Sequence, residues 1–271
     1  MHHFDNFPPL PLTLEGSSVL HQMLRVRWKD WRALPSNRRD DIVGQANAVL
    51  ALMEQDGSAI FSMLGHKSDL MLVHFRQNFD EIGDAQRTLT TTALWDYVEQ
   101  TSSYLSVVEL GLYESTMKVY SSLAEKNIAP HTPEWDAEIV ETLDRQRQAM
   151  HPRLFPEMPL HKYICFYPLD RRRGEVKNWY QLPIAERQRQ MAEHGEVGRR
   201  YAGQVKQIIT GSIGFDDWEW GVDLFAEDPM VFKRLIYEMR FDEVSAVYAQ
   251  FGTFYVGRRT SGVQLSKLLS V

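Results

Sequence analysis

Apolar and polar residues follow two different spacings along the first half of the chain. In residues 20–28, apolar side chains alternate with Arg25 and Arg27, which predicts a half-buried strand. From Ser36, a candidate N-cap, apolar positions recur at helical intervals until Gly57 stops the run. The remaining predicted elements are strands at 58–64, 68–75 and 103–113 and a helix over about 80–99. The first half therefore has the order β-α-β-β-α-β.

The second half repeats this order with different residues. In residues 218–225, two tryptophans and two aliphatic residues occupy one face of a strand, and Glu219 lies on the other. The other predicted elements are strands at 162–168, 203–214 and 245–257, a helix from Pro183 to about Tyr201, and a helix that Asp228 and Pro229 open and that ends near Met239. Each half is thus a ferredoxin-like β-α-β-β-α-β unit.

Two such units in one chain predict an α+β protein whose sheets pack together as an α/β barrel, similar to dimeric α+β barrels. The predicted N-terminal unit spans 1–114 and includes an extended, proline-rich arm. A connector rich in charge and proline spans 115–161, and the second unit spans 162–271.

Composition narrows the class of protein. The net charge of −6 disfavours nucleic-acid binding, and no apolar run is long enough to span a membrane. The first residues lack the basic and apolar segments of a secretory signal. Cys165 is the single cysteine, so no intrachain disulfide forms. These features predict a cytoplasmic protein.

His194 has two interpretations. In the helical register of Met191 and Tyr201 it lies on the buried face, near the helix C-terminus. It is either a core histidine satisfied by one hydrogen bond or a ligand of a metal or haem. A single histidine is enough for haem, because the porphyrin supplies the other four nitrogens.

A basic segment follows a strand end. Tyr167 directly precedes Pro168, and Arg171 begins a run of three arginines. The segment is either a solvated turn or the mouth of a site for carboxylates, which suit the forked donors of arginine. Arg153 and Arg240 are candidates for the same cluster.

Gln207 is predicted to point inward from its strand, between Val205 and Ile209. A buried glutamine needs hydrogen-bond partners. Gln207 is therefore either a core amide bonded to backbone or a residue that faces a ligand.

Several longer motifs carry a family resemblance. FYP is followed by basic residues, with His194 27 positions after Tyr167, and then by YAG-x-x-x-QII-x-GSIGFDDWEWG and YEMRFDEVSA. Together they resemble the chlorite dismutase-like haem proteins, specifically the coproheme decarboxylases of the type found in Gram-positive bacteria. The similarity is close from about 153 to 257 and looser before that.

The resemblance implies a reaction and roles for its residues. Iron coproporphyrin III (coproheme) would be both substrate and cofactor, and hydrogen peroxide would convert two of its propionates to vinyl groups, giving haem b. By similarity, His194 is the axial iron ligand, Tyr167 the catalytic radical residue, and Gln207 the polar residue on the peroxide side. The positions similar to propionate-binding residues are Arg153, Ser245 and the loop formed by Tyr167, Pro168, Leu169, Asp170 and Arg171.

The resemblance also implies a homo-oligomer, typically a pentamer, and a ferrochelatase is a possible partner in coproheme delivery. Two positions depart from the family pattern: Arg171 stands where a lysine is usual, and Leu169 where a methionine is common. Arg171 keeps open the alternative of a haem-binding or carrier protein without decarboxylase activity. A barrel protein with no cofactor is a third possibility. Gln207, where chlorite dismutases carry an arginine, argues against chlorite chemistry.

Overall fold

The computed structural model describes residues 7–270. Its strands are β1 (Thr13–Val26), β2 (Ser58–Leu64), β3 (Leu70–Arg76), β4 (Val98–Gly111), β5 (Tyr163–Arg171), β6 (Lys206–Gly211), β7 (Trp220–Ala226), β8 (Ala249–Phe251) and β9 (Tyr255–Arg259). Its helices are α1 (Trp28–Ala33), α2 (Ser36–Gln55), α3 (Phe79–Thr90), α4 (Tyr113–Glu125), α5 (Pro133–Leu154), α6 (Ile184–Arg200), α7 (Met230–Met239), α8 (Glu243–Tyr248) and α9 (Gly262–Leu269). Short 3₁₀ turns occupy Ala93–Tyr97 and Trp179–Gln181.

The strands form one antiparallel sheet that closes into a barrel. The strand order is β7-β6-β4-β1-β3-β2-β9-β5-β8, and β7 also pairs with β5. In the closing pair, Tyr163 lies opposite Ala226 and Leu169 lies opposite Trp220. Every pairing within residues 7–270 is antiparallel, but only β2–β3 and β6–β7 pair strands that follow one another in the chain.

The barrel consists of two ferredoxin-like units, as the sequence predicts. The first unit contributes β4-β1-β3-β2. Through the pairing of β5 with β7, the second unit contributes β9-β5-β7-β6. In both units the strand order is therefore fourth, first, third, second. The division at 1–114, 115–161 and 162–271 stays a prediction. Helix α9, which the sequence analysis missed, packs against α2 of the first unit. Its Leu269 carbonyl accepts a hydrogen bond from the Trp31 indole of α1 at 2.7 Å.

Both faces of the sheet are covered by apolar residues. Inside the barrel, Phe61, Phe166 and Phe225 come from three different strands and are at most 1% exposed. Outside, α2, α3 and α9 cover the first unit, and α6 and α7 cover the second. Strand β1 is therefore buried along nearly its whole length. Apolar and polar residues alternate clearly only at its C-terminal end, around Arg25, and this is the part that the sequence pattern predicted as a strand.

The helix predicted over 80–99 is about half as long as expected. Helix α3 ends at Thr90, a 3₁₀ turn follows, and Val98 begins a strand. Four hydroxyls, those of Thr88, Thr90, Thr91 and Thr92, donate to carbonyls three or four residues earlier. These local bonds compete with helix continuation, and threonine's branched side chain further disfavours it.

Other boundaries also differ from the prediction. Pro35, not Ser36, is the N-cap of α2, and Trp28 begins α1 rather than ending a strand. The strand predicted at 245–257 begins as a helix, because the Asp242 carboxylate caps α8. The connector at 115–161 is mostly helical, since it contains much of α4 and all of α5. Residues 1–6 of the predicted arm lie outside the described residues.

None of the helices in the described part is long and apolar enough to cross a membrane.

The interior packing predicts a steric limit at Gly221. A Cβ there would lie 2.6 Å from both Thr210 Oγ1 and Tyr104 Cε1, so Gly221→Ala forces the barrel wall apart. We expect it to lower the free energy of unfolding in urea by about 2 kcal/mol. The control is Gly44→Ala in α2, where nothing lies within 4 Å of the new methyl group. That variant should be as stable as the original chain or slightly more so; equal stabilities for both variants would contradict the packing argument.

Candidate functional site

A pocket lies between the outer face of the second unit's sheet and the helices that cover it. Strands β5 to β8 form its floor, and α6, α7 and α8 form its roof. Its volume is about 50 Å³. The lining residues are Tyr167, Leu169, Arg171, His194, Gln207, Ile209, Val222, Ile236, Met239, Ser245, Ala249 and Phe251.

Six of the residues predicted for the site line this pocket. Successive residues of β5 face opposite sides of the sheet, so only some of the predicted β5 residues reach the pocket. Tyr167, Leu169 and Arg171 point to the pocket, whereas Pro168 and Asp170 point to the other face of the sheet. The stretch from Tyr167 to Arg171 is therefore a strand rather than the expected loop.

Arg153 does not line the pocket. It lies exposed in the last turn of α5, where its Nη1 contacts the Met150 sulfur at 3.7 Å. Arg240 is closer to the site, because its guanidinium carbon lies 3.6 Å from the centre of the Phe251 ring, which is part of the lining. Of the cations considered from sequence, Arg171 is the one in the pocket wall.

His194 enters the pocket from α6 and has a carboxylate behind it. Its Nδ1 lies 2.8 Å from Asp242 Oδ2, and the side chain is 27% exposed. An ionised carboxylate only accepts hydrogen bonds, so Nδ1 carries the proton and donates it. In the neutral imidazole the lone pair is then on Nε2, which forms no hydrogen bond within residues 7–270. Histidines that bind metals are commonly held in this way.

Asp242 is a site residue that the sequence analysis missed. Its other oxygen accepts from the Ser245 amide at 2.7 Å, which caps α8, and the Ser245 hydroxyl lies 3.4 Å from His194 Nδ1. Burial alone would raise the pKa of Asp242, but the hydrogen bonds from His194 and Ser245 outweigh it and hold the pKa below its ordinary value. The signal was an aspartate at an N-cap position, three residues before Ser245.

Tyr167 is held as a neutral phenol. It is 4% exposed and stacks on Phe254 with ring centres 4.5 Å apart. Burial raises its pKa well above the ordinary value, Cys165 adds to the shift, and the positive charges of Arg240 and Arg171 oppose it. Its hydroxyl forms no hydrogen bond within residues 7–270, so the proton is not committed to a protein acceptor there.

Arg171 is a half-buried cation with no ion pair in the described part of the chain. Its guanidinium lies 4.9 Å from the centre of the Trp179 ring, and Nη2 contacts the Met191 sulfur at 3.6 Å. Burial lowers its pKa from the ordinary value, while nearby acidic groups oppose that shift. An unpaired guanidinium in a pocket is a strong attraction for a carboxylate or phosphate ligand.

Gln207 lines the pocket from β6, as its inward orientation in the sequence predicts. Its amide has no hydrogen-bond partner within residues 7–270. A Cβ at Gly198 would lie 3.5 Å from Gln207 Nε2, so helix α6 contacts β6 closely at this point. The amide is therefore available to a ligand and is separated from His194 by about one turn of α6.

The pocket combines an imidazole nitrogen with a free lone pair, a protonated phenol, an amide and a cation. Among residues 7–270, no three His, Cys, Asp or Glu side chains cluster in the manner of a metal site. Fold and site together define a class: a two-unit α+β barrel with a pocket that offers one imidazole ligand and one anion-binding side chain.

Comparison with known proteins gives the family. The chlorite dismutase family model matches residues 39–260. The chain is 39% identical over 273 residues to a coproheme decarboxylase of Staphylococcus saprophyticus, covering 97% of this chain and the full length of that protein. It is 42% identical over 266 residues to a Haloquadratum walsbyi protein named for heme binding, covering 96% of this chain but 47% of that protein. The chain thus spans about half the length of this Haloquadratum walsbyi relative.

A solved structure agrees. A heme-binding protein from Thermus thermophilus superposes with a TM-score of 0.82 at 37% identity, covering 98% of this chain and all of that one. The chain belongs to the chlorite dismutase family.

The His194–Asp242 contact predicts a pH-dependent stability. Asp242→Asn keeps the cap of α8, because asparagine caps helices as well as aspartate, but it removes the charge that faces His194. At pH 7 we expect a loss of about 2 kcal/mol in the free energy of unfolding. A carboxylate whose pKa is lowered by folding stabilises the fold fully above its ordinary pKa, and this stabilisation is lost as pH falls from there through the lower pKa of the folded state.

The difference between the original chain and Asp242→Asn should therefore shrink below about pH 4, measured by urea unfolding at a series of pH values. Glu196→Gln is the control, since Glu196 is exposed on the same helix as His194 and forms no ion pair within residues 7–270. A difference for Asp242→Asn that stays constant across the range would contradict the assigned charge state.

Proposed function

We propose that the chain is a coproheme decarboxylase that converts iron coproporphyrin III to haem b with hydrogen peroxide. The observation that carries the proposal is that His194, Tyr167 and Arg171 meet in one pocket, with Nε2 free, the phenol protonated and the guanidinium unpaired. The 39% identity to the staphylococcal coproheme decarboxylase supports it. The names of the Haloquadratum and Thermus relatives agree with binding of a haem-type ligand.

The residues of the pocket fit an iron porphyrin that carries carboxylates. His194 Nε2 would hold the iron, and the carboxylate of Asp242 would strengthen the imidazole as a ligand. Arg171 would bind a propionate, with Ser245 as a further hydrogen-bond donor on the same side as His194. Gln207 would face peroxide. When bound, the iron supplies the redox centre at which peroxide is reduced.

The reaction balances with one peroxide for each propionate. The side chain R–CH₂–CH₂–COO⁻, together with H₂O₂ and H⁺, gives R–CH=CH₂, CO₂ and two molecules of water. Two electrons leave the propionate and reduce the peroxide. Conversion of coproheme to haem b therefore consumes two molecules of peroxide.

Tyr167 is the proposed relay for these electrons. Its phenol is protonated at neutral pH, so loss of one electron and one proton gives a neutral phenoxyl radical. That radical can take a hydrogen atom from the propionate carbon next to the macrocycle and become a phenol again. The carbon radical so formed then gives up a second electron to the remaining oxidising equivalent of the peroxide and loses CO₂, which leaves the vinyl group. The surrounding Phe254 and Phe251 rings keep water away from the radical.

The pocket must open to bind such a ligand. Its volume of about 50 Å³ is far below the several hundred Å³ of typical small-molecule sites. The sheet side is fixed by barrel pairing, so we assign the movement to α6 and α7, which cover the second unit's sheet. A pentameric assembly, a ferrochelatase partner and a cytoplasmic location stay predictions.

Peroxide titration tests the proposed function. We expect the protein mixed with iron coproporphyrin III to yield haem b, identified by chromatography, with the conversion complete at about two equivalents of peroxide. Omitting peroxide should leave coproheme intact. Tight binding without any haem b at excess peroxide would contradict the proposal and favour a carrier protein.

The role of Tyr167 has its own test. Tyr167→Phe keeps the ring stack on Phe254 but removes the O–H, so we expect coproheme binding within about threefold of the original and a fall in turnover of at least about 100-fold. Tyr163→Phe is the matched control, because Tyr163 begins the same strand but does not line the pocket. Turnover that survives in Tyr167→Phe would show that another residue relays the electrons.

A further inference from the structure

Arg171 lies beyond the end of the backbone pairing between β5 and β7. On the β8 side, Arg171 pairs with Ala249 and ends the strand. On the β7 side, the last pair is Leu169 with Trp220, two residues earlier. The Arg171 amide therefore has no β7 carbonyl to donate to. It donates to a side chain instead, the Glu219 carboxylate, at 2.8 Å from Oε2.

Glu219 is a buried carboxylate with three donors around it. The residue is 7% exposed. Its Oε2 also accepts from the Tyr180 hydroxyl at 2.7 Å, and its Oε1 lies 3.5 Å from Arg173 Nη1. A buried carboxylate is tolerated only when its oxygens are well bonded, so these donors fix its position.

A reciprocal bond joins the same two segments. The Glu219 amide donates to Asp170 Oδ1 at 2.9 Å, so consecutive residues Asp170 and Arg171 are each bonded to Glu219. The side chain of Asp170 faces away from the pocket, and its role is structural, because it accepts the hydrogen bond from the Glu219 amide. Together these contacts continue the β5–β7 connection beyond the point at which the backbone ladder stops.

The guanidinium itself lacks a comparable anchor. Its contacts are the Trp179 ring and the Met191 sulfur, both weak compared with an ion pair. The direction in which Arg171 enters the pocket is therefore set mainly by its backbone, which pairs with β8 on one side and is held by Glu219 on the β7 side.

We propose that Glu219 is the positioning residue for Arg171, and that it aims the guanidinium at the carboxylate-bearing edge of the substrate. This inference rests on the proposed function. Arg171 and Tyr167 line the pocket from the same face of β5, so the carboxylate that Arg171 holds is assigned to the reacting edge of the macrocycle. Coproheme has carboxylates there, and haem b has vinyl groups. Glu219 thus favours binding of the substrate over binding of the product.

A double-mutant cycle tests this role. Dissociation constants for iron coproporphyrin III and for haem b are measured by absorbance titration for the original chain, Glu219→Ala, Arg171→Ala and the double variant. We expect Glu219→Ala to weaken coproheme binding about fivefold and haem b binding less than about twofold. In the Arg171→Ala background, Glu219→Ala should have almost no further effect on coproheme.

Two further variants keep the test sharp. Glu219→Gln retains the size of the side chain, so it replaces Glu219→Ala in the cycle if that variant does not fold. We expect it to weaken coproheme binding more than haem b binding, but by a smaller factor than Glu219→Ala. Asp217→Asn removes one negative charge two residues away at an exposed position and should bind both porphyrins as the original chain does. This control distinguishes an effect of the charge near Glu219 from an effect of the contact between Glu219 and Arg171.

Two outcomes would overturn the proposal. One is an equal loss of coproheme affinity with and without Arg171, and the other is an equal loss for coproheme and haem b. Either would mean that Glu219 supports the fold without aiming Arg171. A chain that binds coproheme but forms no haem b would contradict the proposed function instead, and the binding cycle would still decide the role of Glu219.

Discussion

The antiparallel pairing of β5 with β7 is the constraint on which both the barrel and the pocket depend. It closes the sheet, and it fixes which face each residue of β5 presents. Phe166 goes to the barrel interior, while Tyr167, Leu169 and Arg171 go to the pocket. A shift of register by one residue would exchange these two sets and remove both the phenol and the guanidinium from the site.

The helical side of the pocket depends on one charged hydrogen bond. Asp242 caps α8 with one oxygen and holds the proton of His194 with the other, so the position of α8 and the orientation of the imidazole are set by the same carboxylate. The lone pair of Nε2 is then directed away from Asp242. A histidine without this partner would be free to adopt either tautomer, and its value as an iron ligand would fall.

Sequence reasoning recovered the parts of the molecule that local patterns encode. Helical spacing placed His194 on the pocket side of α6, and strand alternation turned Gln207 inward, so both line the site. Sequence reasoning missed features that depend on contacts between residues far apart in the chain. The burial of β1 on both faces comes from the closed barrel, and Asp242 meets His194 from 48 positions away. Arg153 was a candidate for the basic cluster and, by the family resemblance, for propionate binding, and it lies outside the pocket lining.

The central claim is that this pocket binds an iron porphyrin through His194. A crystal structure of the protein with iron coproporphyrin III tests it most directly. The account predicts iron bonded to His194 Nε2, Asp242 still bonded to Nδ1, and a porphyrin carboxylate on the Arg171 guanidinium. Iron held by any other side chain, or a porphyrin bound outside the space between the second unit's sheet and α6 to α8, would contradict it.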